Sequence, residues 1–135
     1  MTRSIVACVE DLFFRSKIEA TARHLNVPLR FCDPKDLAQA VAPADTAAVL
    51  VEIADNDAAI NAVALLRKNA ATKELPVIGF LKHTDRELAR RANEGGFTNV
   101  LPRSQFSETL PDLLMDLLAP GTKREMQEEV ELPDE

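Results

Sequence analysis

Five times along this chain a short apolar run is followed by a longer stretch whose apolar residues recur every three to four positions. Runs of the first kind suit strands buried on both faces, and stretches of the second kind suit amphipathic helices. Their alternation leaves little choice of architecture, because parallel strands need crossover connections and helical crossovers cover both faces of the sheet. The strand candidates are Ser4 to Val9, Pro28 to Cys32, Ala47 to Ile53, Leu75 to Leu81 and Phe97 to Leu101. Between them, Phe14, Ile18, Ala22 and Leu25 mark one helix face, and Ile60, Val63, Ala64 and Leu66 mark another.

Helix boundaries are written beside these patterns. Asp33-Pro34 reads as an N-cap with proline in the first helical position, opening a short helix over about 34–42. Asn56 or Asp57 can cap the third helix, and Thr84 with Glu87 has capping-box spacing before the fourth, which Gly95-Gly96 ends. Ser107 with Leu110, Leu113, Leu114, Leu117 and Leu118 gives the last helix. The expected fold is therefore α/β, an open doubly wound (βα)5 parallel sheet with right-handed crossovers.

With 135 residues, the chain is long enough for one domain with its own core. Of its net charge of −6, most sits in residues 121–135, which hold two basic and six acidic side chains. Residues 1–119 are expected to form the domain and residues 120–135 a disordered acidic tail. An acidic chain repels a phosphate backbone, so nucleic acid is not an expected partner. No apolar run approaches the roughly 20 residues of a membrane span or forms a leader, which places the protein in the cytoplasm, away from membranes. Cys8 and Cys32 are too far apart in sequence for a CxxC site and read as reduced, packed thiols. Glycine occurs only at positions 79, 95, 96 and 121, so neither a P-loop nor a GxGxxG fingerprint can be written.

In open α/β sheets, reacting groups gather beyond the carboxyl ends of the strands. Here those positions hold Glu10 and Asp11 after the first strand, Glu52 at the end of the third, Leu81 and Lys82 after the fourth, and Arg103 after the fifth. Such carboxylates beside a cation are hard oxygen donors suited to Mg²⁺.

Across residues 3–118 the chain resembles the receiver domain of bacterial response regulators. The resemblance rests on element order, on the acidic pair ending Ile5-Val6-Ala7-Cys8-Val9-Glu10-Asp11, on Leu75-Pro76-Val77-Ile78, and on Gly95-Gly96-Phe97-Thr98-Asn99-Val100-Leu101. It implies a flavodoxin-like strand order 2-1-3-4-5 and a role in two-component signal transduction. It also implies phosphoryl transfer from a histidine kinase to an Asp at the end of strand three, with Mg²⁺ on the acidic pair. A Thr or Ser after strand four and a Lys after strand five would then contact the phosphoryl group, and the face of helix four, strand five and helix five would rearrange.

The chain departs from that pattern at the chemistry. Glu52 stands at the phosphoacceptor position, and its extra methylene displaces the nucleophilic oxygen. A misplacement of about 1 Å can cost on the order of a hundredfold in rate. Leu81 at the hydroxyl position has nothing to donate. Arg103 replaces Lys, Ser104 replaces the usual Pro, and Val100 takes the place of the aromatic on strand five. Guanidinium and ammonium are not interchangeable at a fixed site. Glu52 paired with Arg103 would mimic a permanent negative charge, and Asp55 is a displaced candidate acceptor.

The expectation is a stand-alone pseudo-receiver: a phosphorylation-independent protein-interaction module, not an enzyme, with no catalytic residues and no required cofactor. Glu10 and Asp11 remain a weak Mg²⁺ site. Arg86, Arg90 and Arg91 on helix four form a basic face for a protein partner, such as a histidine kinase or other signalling protein, or for a homodimer through helix four, strand five and helix five. Two alternatives remain open at this level: a phosphoacceptor receiver with a divergent acidic Mg²⁺ site, and a small α/β ligand-binding protein or enzyme using the same crevice.

Overall fold

The computed structural model describes residues 3–41, 44–54, 57–83 and 85–118. Asp55, Asn56, Thr84 and the acidic tail lie outside the described residues. The elements are β1 (Ser4–Cys8), α1 (Leu12–Leu25), β2 (Leu29–Phe31), a 3₁₀ turn (Pro34–Asp36) running into α2 (Leu37–Ala40), β3 (Thr46–Ile53), α3 (Ala58–Lys68), β4 (Val77–Leu81), α4 (Arg86–Glu94), β5 (Asn99–Pro102) and α5 (Arg103–Leu118). All strand pairs are parallel, in the order β2-β1-β3-β4-β5, as expected.

Every residue of β3 is buried, because this central strand is covered on both sides. Its side chains alternate between two cores. Val49, Val51 and Ile53 join Val63, Leu66, Leu88 and Ala92 on the α3–α4 side. Ala48 and Leu50 join Phe14, Ile18, Phe106, Leu110 and Leu114 on the α1–α5 side. The second core is ordered by aromatic contact, with Phe80 stacked on Phe106 at 4.1 Å and Phe14 tilted against Phe80 at 5.1 Å.

Local chemistry moves several boundaries. The last helix begins at Arg103, immediately after β5, so Phe106 is an anchor of the core and Arg103 belongs to a helix instead of a loop. On α4 the cap is Asp85, whose Oδ1 accepts from Leu88 N at 3.0 Å. Asp57 occupies the N-cap position of α3 without a capping side-chain hydrogen bond, and Asp33 does likewise before Pro34. The segment after Pro34 is only one 3₁₀ turn and one α turn, ending at Ala40.

At β4, Gly79 allows close approach of its neighbours. A Cβ there would stand 2.6 Å from Ile53 Cδ1 and 2.7 Å from the Phe97 ring. Gly96, at φ +116°, turns the chain from α4 toward β5 in a conformation that favours glycine. That turn is held by Arg67, whose Nε donates to Gly96 O at 2.8 Å and whose Nη1 donates to Thr72 O at 3.2 Å and Lys73 O at 3.0 Å. Its Nη2 reaches Thr98 Oγ1 at 3.3 Å, the same hydroxyl oxygen that accepts from Val77 N at 2.9 Å.

Candidate functional site

Register brings the first and third strands' ends together. Cys8 pairs with Val51, so the chain leaving β1 passes directly beside Glu52. The Glu52 side chain is 8% exposed, and its Oε1 accepts from Glu10 N at 2.8 Å and from Asp11 N at 3.2 Å. The carboxylate that the resemblance puts at the phosphoacceptor position is thus turned onto the β1–α1 loop as a ligand for its amides. Its other oxygen, Oε2, is buried without a hydrogen-bond partner among the described residues.

Asp11 is committed locally as well. Its Oδ1 accepts from Phe13 N at 2.9 Å and Phe14 N at 3.2 Å, which makes it the N-cap of α1. Two orphan amides of the first helical turn are satisfied in this way. Arg15 secures the loop from the other side, donating to Val9 O at 3.2 Å while its guanidinium lies 4.4 Å from the Phe31 ring centroid. Glu10 presents an exposed side chain.

Leu81 is buried, so a side chain without a donor fills the position where the resemblance calls for a hydroxyl. Arg103 does not pair with Glu52. Its guanidinium stands 5.5 Å from the Phe14 ring centroid, and Nη1 donates to Lys82 O at 3.3 Å. The expected Glu52–Arg103 ion pair is therefore replaced by two separate arrangements, because Glu52 is taken by loop amides and α5 starts early enough to carry Arg103 over Phe14. Val100 is half-buried on β5.

For Mg²⁺, part of the donor set is already engaged. The ion demands near-octahedral oxygen ligation, whereas one oxygen each of Glu52 and Asp11 is already bound to this chain's own amides. Among the described residues, no group of three or more His, Cys, Asp or Glu side chains is placed to hold a metal ion. Cys8, Glu10, Pro34, Glu52, Ala54, Ala58 and Ala59 line a cavity of about 30 Å³. That is room for about one water molecule, too little for an organic ligand.

The basic face on α4 is largely neutralised within the helix and its neighbour. Arg90 pairs with Glu87 and, at 2.7 Å, with Glu94, while Arg91 pairs with Asp57 on the α3 side. Hydrogen bonding to Arg90 holds the Glu87 carboxyl below its ordinary range and raises Arg90 in turn. Arg86 is exposed. Sequence reasoning paired these arginines with a partner and missed their own acids at i−3 and i+4.

It also missed the thiols. Cys8 Sγ, which lines the same cavity, lies 3.3 Å from Cys32 Sγ, because β1 and β2 are neighbours in register. The only sequence signal was that Cys32 ends one strand candidate and Cys8 stands one residue before the end of another.

A five-stranded parallel sheet in this order, with an acidic crevice at its carboxyl edge, is the receiver fold, and structural comparison agrees. A response regulator from Hahella chejuensis superposes with a TM-score of 0.73 at 15% identity, covering 88% of this chain and 97% of its own. The chemotaxis protein CheY4 of Vibrio cholerae gives 0.71 at 18% identity, over 87% of this chain and 100% of its own. The receiver domain of a sensor histidine kinase from Pseudomonas aeruginosa, with magnesium coordinated in its active-site cleft, gives 0.71 at 15% identity, over 87% and 98%. No protein-family model matches the chain, and no curated protein is significantly similar to it in sequence. No helix among the described residues is long and apolar enough to cross a membrane.

Proposed function

We propose that this chain is a pseudo-receiver: a receiver-fold module of signal transduction that binds a protein partner without being phosphorylated and without catalysing a reaction. The observation that carries this reading is the pair of hydrogen bonds from Glu10 N and Asp11 N to Glu52 Oε1. A phosphoacceptor must offer its carboxylate oxygen to an incoming phosphorus in line with the leaving group, and Glu52 offers that oxygen to its own loop instead. Buried Leu81 supports the reading from the other side, since a phosphoryl group would find no hydroxyl there to pull on.

In this arrangement Glu52 holds the β1–α1 loop in one conformation that needs no phosphate. Loop and helix start are then a fixed surface for a protein partner, such as a histidine kinase or another signalling protein. Leu12 and Phe13 stand beside it, 76% and 68% exposed. Apolar side chains this exposed are often part of a contact surface when they are contiguous. Arg86 and the α4–β5–α5 face form the second candidate surface, with Arg90 and Arg91 engaged in ion pairs that a partner's acids would have to displace.

Incubation of the full chain with Mg²⁺ and acetyl phosphate, followed by intact-mass measurement, tests the reading. The expected spectrum shows no phosphoryl adduct on the natural chain. In Glu52→Asp a hydrolysable adduct could form, yet with Leu81 in place the amide spectrum of α4 and β5 stays unchanged. A stoichiometric adduct on the natural chain, at Glu52 or at Asp55, returns the molecule to phosphoacceptor chemistry.

A further inference from the structure

Outside the carboxylates, the crevice holds one more reactive group. Cys8 ends β1 and is 3% exposed, while Cys32 follows β2 and is half-buried. Cys32 N donates to Ala7 O at 3.0 Å, which continues the parallel ladder one residue past Ala7 and Phe31 and sets the two cysteines side by side. Neighbouring parallel strands run about 4.8 Å apart, and disulfide-bonded cysteines have Cα atoms about 4.4–6.8 Å apart. With the sulfurs at 3.3 Å, closing to a bond of about 2.05 Å takes roughly 1 Å of movement.

We propose that Cys8 and Cys32 are a redox-responsive pair that closes to an intramolecular disulfide on exchange with a small-molecule disulfide such as oxidised glutathione. The bond would pin the exit of β2, and with it Asp33 and Pro34, to the end of β1, where Cys8, Pro34, Glu10 and Glu52 share one cavity. The inference stands independently of whether the crevice is phosphorylated.

The two sulfurs differ, and the difference assigns their roles. The hydrogen bond with Cys32 and the burial of Cys8 together push its thiol well above the ordinary value. The same hydrogen bond holds the Cys32 thiol below the ordinary value, and Arg30 adds to this. Cys32 is also the more accessible, so it is the attacking group. Its thiolate displaces one glutathione thiolate and forms a mixed disulfide. Cys8, giving up its proton to the departing thiolate, then attacks Cys32 Sγ and releases the second glutathione. One external disulfide is reduced by two electrons, and two protein thiols are oxidised. Because the thiolate attacks, the first step quickens as pH rises through the lowered Cys32 pKa, on the acid side of an ordinary thiol.

The full chain is equilibrated in glutathione buffers of rising disulfide content, quenched in acid, alkylated in denaturant and weighed intact. The expected result is a shift from two alkylated cysteines to none, with loss of two hydrogens, no retained glutathione and full reversal by dithiothreitol. Cys8→Ser should stop at one glutathione on Cys32, and folded Cys32→Ser should stay unmodified. Two alkylatable thiols in excess oxidised glutathione, stable glutathione adducts on the natural chain, or disulfide-linked dimers in place of the internal bond would each overturn the proposal. The natural chain decides the matter even if a serine variant fails to fold. Amide resonances of Glu10 and Asp11 that are identical in the two redox forms would overturn the link to the crevice.

Discussion

Arg67 and Glu52 are both charged side chains turned onto the backbone of a distant loop, and they end differently. Arg67 ties the end of α3 to the segments around Thr72, Gly96 and Thr98 through four hydrogen bonds from all three guanidinium nitrogens. Glu52 makes two bonds through one oxygen and leaves the other buried without a partner among the described residues. A site whose hydrogen-bonding capacity is used up is a structural tie. An unsatisfied buried oxygen costs free energy, and proteins retain such groups mainly where they serve something besides stability. Partial burial lowers the Arg67 pKa, yet its charge is retained because an arginine cannot deprotonate in practice.

The largest expected effect on breaking this contrast is at Arg67. Arg67→Ala strands acceptors on two segments, and hydrogen bonds to charged groups contribute about 1.5–3 kcal/mol each with partial compensation by water. A loss of about 2–3 kcal/mol in urea denaturation is expected, with Arg67→Lys recovering only part, since one ammonium cannot reach what a planar fork reaches. A change near zero would mean that the α4–β5 turn does not depend on this side chain.

Glu52 should respond in an unusual order. Glu52→Ala leaves the amides of Glu10 and Asp11 without their acceptor, at a cost of about 1–3 kcal/mol. Glu52→Gln keeps a carbonyl for those amides and removes a buried charge, so its stability should equal or exceed that of the natural chain. Equal losses for Ala and Gln would show that the charge itself holds the loop, against the geometry described.

The smallest effect belongs to Asp11. Its removal as the α1 cap in Asp11→Ala should cost about 1 kcal/mol, as helix caps do, while Asp11→Asn should be nearly neutral. A Mg²⁺-dependent change in melting temperature that disappears in Asp11→Asn would point to a metal role that the cap geometry does not provide.

Fold and site were legible to different depths in the sequence. Alternating runs such as Ala47 to Ile53 are read directly, because burial on both faces demands apolar residues at every position. The start of α5 was not: Pro102-Arg103-Ser104 carries no cap residue ahead of the helix, and Pro111 within it disguises the period. Thr84 and Asp85 both suit a cap in the sequence, and the structure shows Asp85 in that role. The positions of Glu10, Asp11, Glu52, Leu81 and Arg103 at one edge follow from strand ends alone. What each side chain does there depends on register between residues about forty positions apart, which no local pattern records. The same holds for Cys8 beside Cys32, and for Arg67, whose partners belong to two different segments.

The central claim is that the crevice is locked by its own chain and has no switch left to throw. Amide NMR of the full chain titrated with Mg²⁺ and then beryllofluoride, which mimics an aspartyl phosphate on an acceptor carboxylate, tests it most directly. The account predicts an unchanged spectrum, or shifts limited to the exposed Glu10 with Mg²⁺ alone. Saturable shifts spreading from Glu52 through Leu81 to α4 and β5 would contradict it.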